Sequence, residues 1–324
     1  MAWHMSNFPS DEEIINHAHE ERKKAAALGE EKFGVFADAI DILRYRTCEW
    51  WELRHSIRPI HNMTHLYRDN ASLARELAVC SCVRSALTNI LHVAVLLRSG
   101  IIGPIPPLFR VAYELYIDAT FLRLDTSGSS AGRMLDWQLA DTAKVSHNNP
   151  GLLANFEKMK DEYKGEKNYG KPGAWAELPD GKKYHSVESR MHYVFNSIKE
   201  EVPDQVVSPS DWQLINEMAL RQRAQSNTTV HASPIAAATF DKQVFMAVQA
   251  ALLFLPTVTA YHRVSNEWID ENFAAIVSEL DSSVLIEDQL AWERMRAALD
   301  GLSVAVRNTF DTSGTKHDAS RGYE

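Results

Sequence analysis

Turn-forming residues are scarce in this chain. Its 324 residues include 14 glycines and 12 prolines. So few breaks leave little room for many short strands and predict long helices. Cysteine is scarcer still, with only Cys48, Cys80 and Cys82. An odd count without a C-x-x-C pair predicts no disulfide framework and fits a reduced, cytoplasmic chain. An excess of basic charge is missing too. Lys and Arg number 34 against 43 Asp and Glu, for a net charge of −9. That balance excludes a general nucleic-acid or membrane coat, and it leaves room for a local basic site. The opening MAWHMSNFPSDEE lacks the basic region and apolar run of a signal peptide. There is no G-x-G-x-x-G after a strand, no Walker loop, no G-x-S-x-G elbow and no H-E-x-x-H, so no cofactor is expected.

What is present is an ordinary globular composition, 45% apolar and 24% charged, in a chain long enough to bury a sizeable core. The most hydrophobic window runs from Val244 to His262. Gln249, Pro256 and its polar end favour a buried core helix over a membrane span. Ser10-Asp11-Glu12-Glu13 reads as a capping box opening a first helix towards Arg44, with Gly29 and Gly34 as candidate breaks. A long helix is predicted from Ala71 to Arg98, closed by Ser99-Gly100. Pro106 and Pro107 seed the next, over LFRVAYELYIDATFLRL. Further helices are expected over Arg133–Val145, Gly151–Tyr163, Ser186–Glu201, Asp211–Asn227, Pro234–Tyr261, Glu267–Leu280 and Ser283–Phe310. Lys164 to Lys183 is rich in Gly, Pro and Lys and reads as a loop anchored by Trp175. The tail from Asp311 is polar. The expected fold is an all-α multi-helix bundle, one domain of residues 1–324 with a central loop insertion at 164–183.

Two polar patterns interrupt apolar helices. Arg110, Glu114 and Asp118 are spaced i, i+4, i+8 in a helix otherwise apolar all round. Buried charges must be paired or used. The stripe is therefore either a structural Arg110–Glu114 pair or an arginine held by a carboxylate so that it faces an anionic ligand. The second pattern is RQRAQSNTTVHASP, Arg221 to Pro234. With Asp211 to His231 drawn as one helix, Arg223 and Ser226 share a side with Trp212, Ile215, Ala219 and Val230. Asn227 and His231 follow Arg223 at i+4 and i+8. Ser233 before Pro234 reads as an N-cap before the next helix. Capping explains Ser233 and a threonine. It does not explain Arg223 and Ser226 on the apolar side.

The R-x3-E helix after prolines (Arg110, Glu114) and the later S-x4-H ahead of A-S-P (Ser226, His231) resemble bacterial all-helical families of unknown function. Those families are similar to the HEPN superfamily of helical nucleotide-binding and RNA-cleaving proteins. The resemblance spans roughly residues 104–237. One residue more separates Arg223 from His231 than in the HEPN nuclease pattern. The resemblance implies metal-independent RNA cleavage by a homodimer of toxin or phage-defence type. His231 would be the general base or acid at the ribose 2′-hydroxyl. Arg223 and Arg110 would stabilise charge on the phosphate, with Glu114 orienting an arginine. Ser226, Asn227 and Asp118 would bind substrate. The apolar Pro234–Tyr261 helix suits a buried dimer interface.

Two other readings compete. One is a non-catalytic interaction or sensing module whose polar groups tie buried helices together. The other is a metal-binding bundle enzyme using His61 and His65, or His185, Glu188 and His192. His61 and Asp69 cannot share one ion on a straight helix, because i to i+8 spans about 12 Å. His92 reads as a hydrogen-bonded core histidine. Trp50 and Trp51 read as packing anchors.

Overall fold

The computed structural model describes residues 10–57, 67, 69–145, 154, 173–201, 240–279 and 282–314. Among them the fold is an all-α multi-helix bundle without a strand. The helices are α1 (Asp11–Ile57), α2 (Ala71–Ser99), α3 (Ile105–Leu124), α4 (Ser129–Val145), α5 (Val187–Glu201), α6 (Phe240–Leu252), α7 (Phe254–Glu279) and α8 (Ser282–Gly314). One hydrophobic cluster takes in residues from every one of them. Helices α2 and α3 lie at its centre. Helix α1 packs on α2 and α8, and α3 packs on α2, α5, α6 and α7.

The predicted caps form. Glu13 Oε2 accepts from the Ser10 amide at 2.8 Å, and Ser10 Oγ accepts from the Glu13 amide at 3.3 Å. Asn70 caps α2 through the Leu73 amide, and Gly100 closes that helix in the left-handed region at φ 68°. Prolines open α3 where their missing N–H groups have no helical partner to lose. At the other end of α3, the buried Arg75 side chain donates to the carbonyls of Leu122 and Arg123. Those carbonyls would otherwise end the helix unsatisfied.

Four boundaries differ from the sequence expectation, one of them the end of α8, which runs on from Phe310 to Gly314. Helix α1 does not break at Gly29 or Gly34 and runs through Arg44 to Ile57. Gly29 is instead a crossing point. A Cβ there would lie 2.5 Å from both the Gly100 nitrogen and the Leu97 carbonyl oxygen. A glycine inside a helix costs about 1 kcal/mol, and the close approach of α1 to the end of α2 offsets it. Helix α4 begins at Ser129, four residues earlier than expected, because Asp125 accepts from the Ser127 and Ser130 amides and turns the chain into it. The break after α6 falls at Leu253 rather than beyond Tyr261. Pro256 has no N–H for the Leu252 carbonyl, and its ring would collide with that group in a continuous helix. From there Tyr261, Val264, Ser265 and Trp268 keep one buried face at helical spacing, so α7 does not stop. His92 is exposed on α2, not in the core.

Trp50 does anchor packing. It is fully buried and lies edge-on to Tyr261 with centroids 5.5 Å apart, and 4.9 Å from Trp292. All three cysteines are free thiols. Helix α2 and the stretch Gln243–Ile276 are long and apolar enough to cross a membrane. Half or more of each apolar window is buried inside the bundle.

Candidate functional site

Helix α3 carries the stripe that the sequence singles out, and its three charges divide between two tasks. Arg110 Nε donates to Glu114 Oε1 at 2.9 Å, and both side chains are about a third exposed. The two terminal amino groups of Arg110 have no partner among the described residues. An i,i+4 pair of this kind fixes the arginine stem and leaves the outer edge of its fork open to an anion.

Asp118, two turns on, is turned inward. It accepts from Arg190 Nε of α5 at 2.7 Å, and the Arg190 side chain is only 4% exposed. Arg190 also donates to the carbonyls of Tyr184 and His185 at 3.2 and 3.1 Å. Its guanidinium lies 5.0 Å from the centre of the Trp175 ring. Trp175 is buried against Phe121. The expected anchor of the central loop is therefore clamped by an arginine that sequence reasoning missed. Gly173 makes the approach feasible. It sits at φ 82°, and a Cβ there would meet the His185 oxygen at 2.1 Å and Arg190 Nη1 at 2.7 Å. The signal for Arg190 was available. It stands in the apolar face of α5 beside Met191 and Val194, the same anomaly that draws attention to Arg223 and Ser226.

A second buried polar cluster joins α1, α7 and α8. Arg54 Nε pairs with Asp288 Oδ1 at 2.7 Å, with both side chains under a tenth exposed. Arg54 also donates to Ser265 Oγ at 3.2 Å and lies 5.3 Å from the Trp50 ring. His262 stacks on Trp292 with centroids 3.7 Å apart and planes within 7°. Nearby, Tyr261 donates to the buried Glu76 at 2.8 Å.

These surroundings shift two titrations in opposite directions. Burial drives Asp118 up to about 6 from its ordinary 3.8, against the pull of Arg190. Burial, together with Arg54, Arg263 and Arg296, drives His262 down to about 4 from 6.5. Between pH 4 and 6 the folded state holds a proton on Asp118 that the unfolded chain has released. That contribution to stability is therefore lost as pH rises through the window. For His262 the unfolded chain holds the extra proton, so its contribution is lost as pH falls from 6.5 towards 4. Urea unfolding at pH 4.5, 5.5 and 7 should show the two opposing each other. Relative to wild type, His262→Gln is expected to gain stability on acidification and Asp118→Asn to lose it. Parallel profiles for all three proteins would rule this assignment out.

Of the residues singled out in the sequence, the structure places Arg110, Glu114 and Asp118 on one helix. His231, Arg223, Ser226 and Asn227 lie outside the described residues, as do His61 and His65. Glu188 and His192 are exposed on α5. Among the described residues, no three His, Cys, Asp or Glu side chains converge as metal ligands. The fold and stripe together define a helical bundle with a half-open arginine–carboxylate pair on a core helix. No family model matches the chain, and comparison with curated proteins and with solved structures gives no significant match.

Proposed function

We propose that this protein is a HEPN-like, metal-independent endoribonuclease. The observation that carries the reading is Arg110, fixed by Glu114 through one nitrogen, with the rest of its fork meeting no partner among the described residues. A buried structural pair would bring that fork onto carbonyls or carboxylates, as Arg190 does. An arginine poised for phosphate has the geometry of Arg110 instead.

In the proposed reaction, His231 removes the proton from a ribose 2′-hydroxyl. The 2′-oxygen attacks the adjacent phosphorus, and the bond to the 5′-oxygen breaks. The products are a 2′,3′-cyclic phosphate and a 5′-hydroxyl, the latter taking up a proton. Arg110 and Arg223 hold the negative charge that builds on the phosphate oxygens. Glu114 orients Arg110, and Ser226 and Asn227 donate hydrogen bonds to the RNA. Asp118, expected from the sequence to bind substrate, does not touch the RNA in this reading; turned inward onto Arg190, it holds the Trp175 loop against α3.

The test is labelled total RNA in excess EDTA with wild type, His231→Ala and Arg110→Ala. Wild type should yield fragments with cyclic phosphate ends. His231→Ala should lose about 100-fold or more of the rate, and Arg110→Ala about 100-fold. Cleavage that persists in His231→Ala, or intact RNA with wild type, counts against the proposal. The second outcome favours a non-catalytic interaction module, for which a groove between α1 and α8, lined by Val35, Ile42 and Val304, is the supporting observation.

A further inference from the structure

Away from α3, the outer face of α1 and α8 forms a groove of about 560 Å³. It is lined by Val35, Ile42, Ala297, Gly301 and Val304, with Asp38, Arg46, Arg294 and Asn308 among its polar residues. Arg294 bonds Glu49 at 3.0 Å near one end, while Val35 and Asn308 lie towards the other, so the two helices run antiparallel.

The apolar residues here are not scattered. Leu28, Val35 and Ile42 of α1 are spaced by seven and all exposed, Val35 at 69% and Ile42 at 56%. Leu290, Ala297 and Val304 of α8 repeat the same spacing and are also exposed. Two seven-residue apolar repeats side by side form the seam of a helical bundle whose other half is not among the described residues. Isolated exposed leucines would be unremarkable, but a register shared by two neighbouring helices is not. Gly301 adds an independent observation. It is a helix-interior glycine with nothing within 4 Å of where its Cβ would be. Among the described residues no close approach offsets the cost of about 1 kcal/mol. With Ala297 and Ala298 it leaves a shallow centre where another helix can approach closely.

We propose that this face binds a second copy of the chain, forming a two-fold dimer whose axis passes near Ile42 and Gly301. The charges favour a copy of the same face over an unrelated helix. Asp38 lies on one side of Ile42, four residues before it, and Arg46 lies four residues after it. At that basic end Glu49 is shared between Arg46 and Arg294 and cannot neutralise both. A two-fold rotation about the centre sets each Asp38 against Arg46 of the partner subunit. The exchange is undemanding, since exposed pairs such as Asp38–Arg98 and Arg46–Glu49 contribute on the order of 0.5 kcal/mol each. The face is about 20 Å wide and 30 Å long for two packed helices. That is roughly 600 Å² in projection, approaching the roughly 800 Å² per partner of a standard interface. The inference does not depend on the nuclease reading, and it proposes a different contact from the one expected on Pro234–Tyr261.

Sedimentation equilibrium of the full chain, from nanomolar to about 100 micromolar, tests it. Wild type should be a dimer. Ile42→Glu should weaken the dimer by about 100-fold or more with unchanged far-ultraviolet dichroism, since residue 42 is exposed in the single chain. Asp38→Arg and Arg46→Asp should each weaken it by about 10-fold. Their combination should restore it to within a few-fold of wild type. A monomer throughout would overturn the proposal, as would a dimer indifferent to Ile42→Glu. A double charge variant weaker than both single variants would also overturn it, because the groove would then face something other than its own copy.

Discussion

Replacing Arg190 with alanine is expected to lower the unfolding free energy by about 3–5 kcal/mol, the cost of stranding a buried charge. Arg190 holds three acceptors at once: Asp118 of α3 and the carbonyls of Tyr184 and His185. Its removal leaves the Asp118 carboxylate in a site where burial already drives its titration upwards. It also takes the cation from against Trp175 and frees the turn between Gly173 and Ser186 from α3. Arg190→Lys should recover only part of the loss. An ammonium is a point charge and cannot reproduce the planar fork that meets a carboxylate and two carbonyls in different directions. Urea denaturation gives the energy. Trypsin cleavage after Lys182 and Lys183, both exposed, reports the turn. Arg190→Ala should be cut faster under native conditions. A variant within 1 kcal/mol of wild type and equally resistant would show that the clamp contributes little.

Arg54→Ala should cost a similar amount, again about 3–5 kcal/mol. Arg54 joins three helices that meet far apart in sequence. It extends from α1 to Asp288 on α8 and Ser265 on α7, and stacks near Trp50 on its own helix. Without it, Asp288 is left as an uncompensated carboxylate whose titration burial already raises. The pair as a whole is a different matter, because desolvating two ions absorbs most of what their attraction returns. The double variant Arg54→Met, Asp288→Leu should therefore lie within about 2 kcal/mol of wild type, well above either single variant. Additive losses would show instead that Arg54 acts through packing on Trp50 and Ser265 and not through its charge.

Both predictions rest on residues that stand out less in the sequence than the stripe on α3. Arg110, Glu114 and Asp118 were readable because one helix carries all three, and helical spacing alone puts them on one face. What each one meets was not readable. Arg190 is 72 positions from Asp118, and Arg54 is 211 from Ser265. Nothing local in either helix names its partner. The same limit applies to His262, an unremarkable histidine in the sequence whose stacking on Trp292 and facing arginines come from three helices.

By itself the sequence determined what depends on neighbours along the chain. The capping box at Ser10, the left-handed Gly100, the prolines opening α3 and the helical class of the described residues are set by local hydrogen bonds and dihedral limits. The tertiary structure decided where glycines are tolerated, which charges pair and which apolar residues remain outside. Gly29 looks like a break until α2 is seen to lie against it. The seven-residue repeats on α1 and α8 become a surface only when the two helices pack side by side with both repeats facing out. Backbone geometry acts over a few residues, whereas burial depends on which distant segment arrives. Only the first of these is written in a contiguous stretch of sequence.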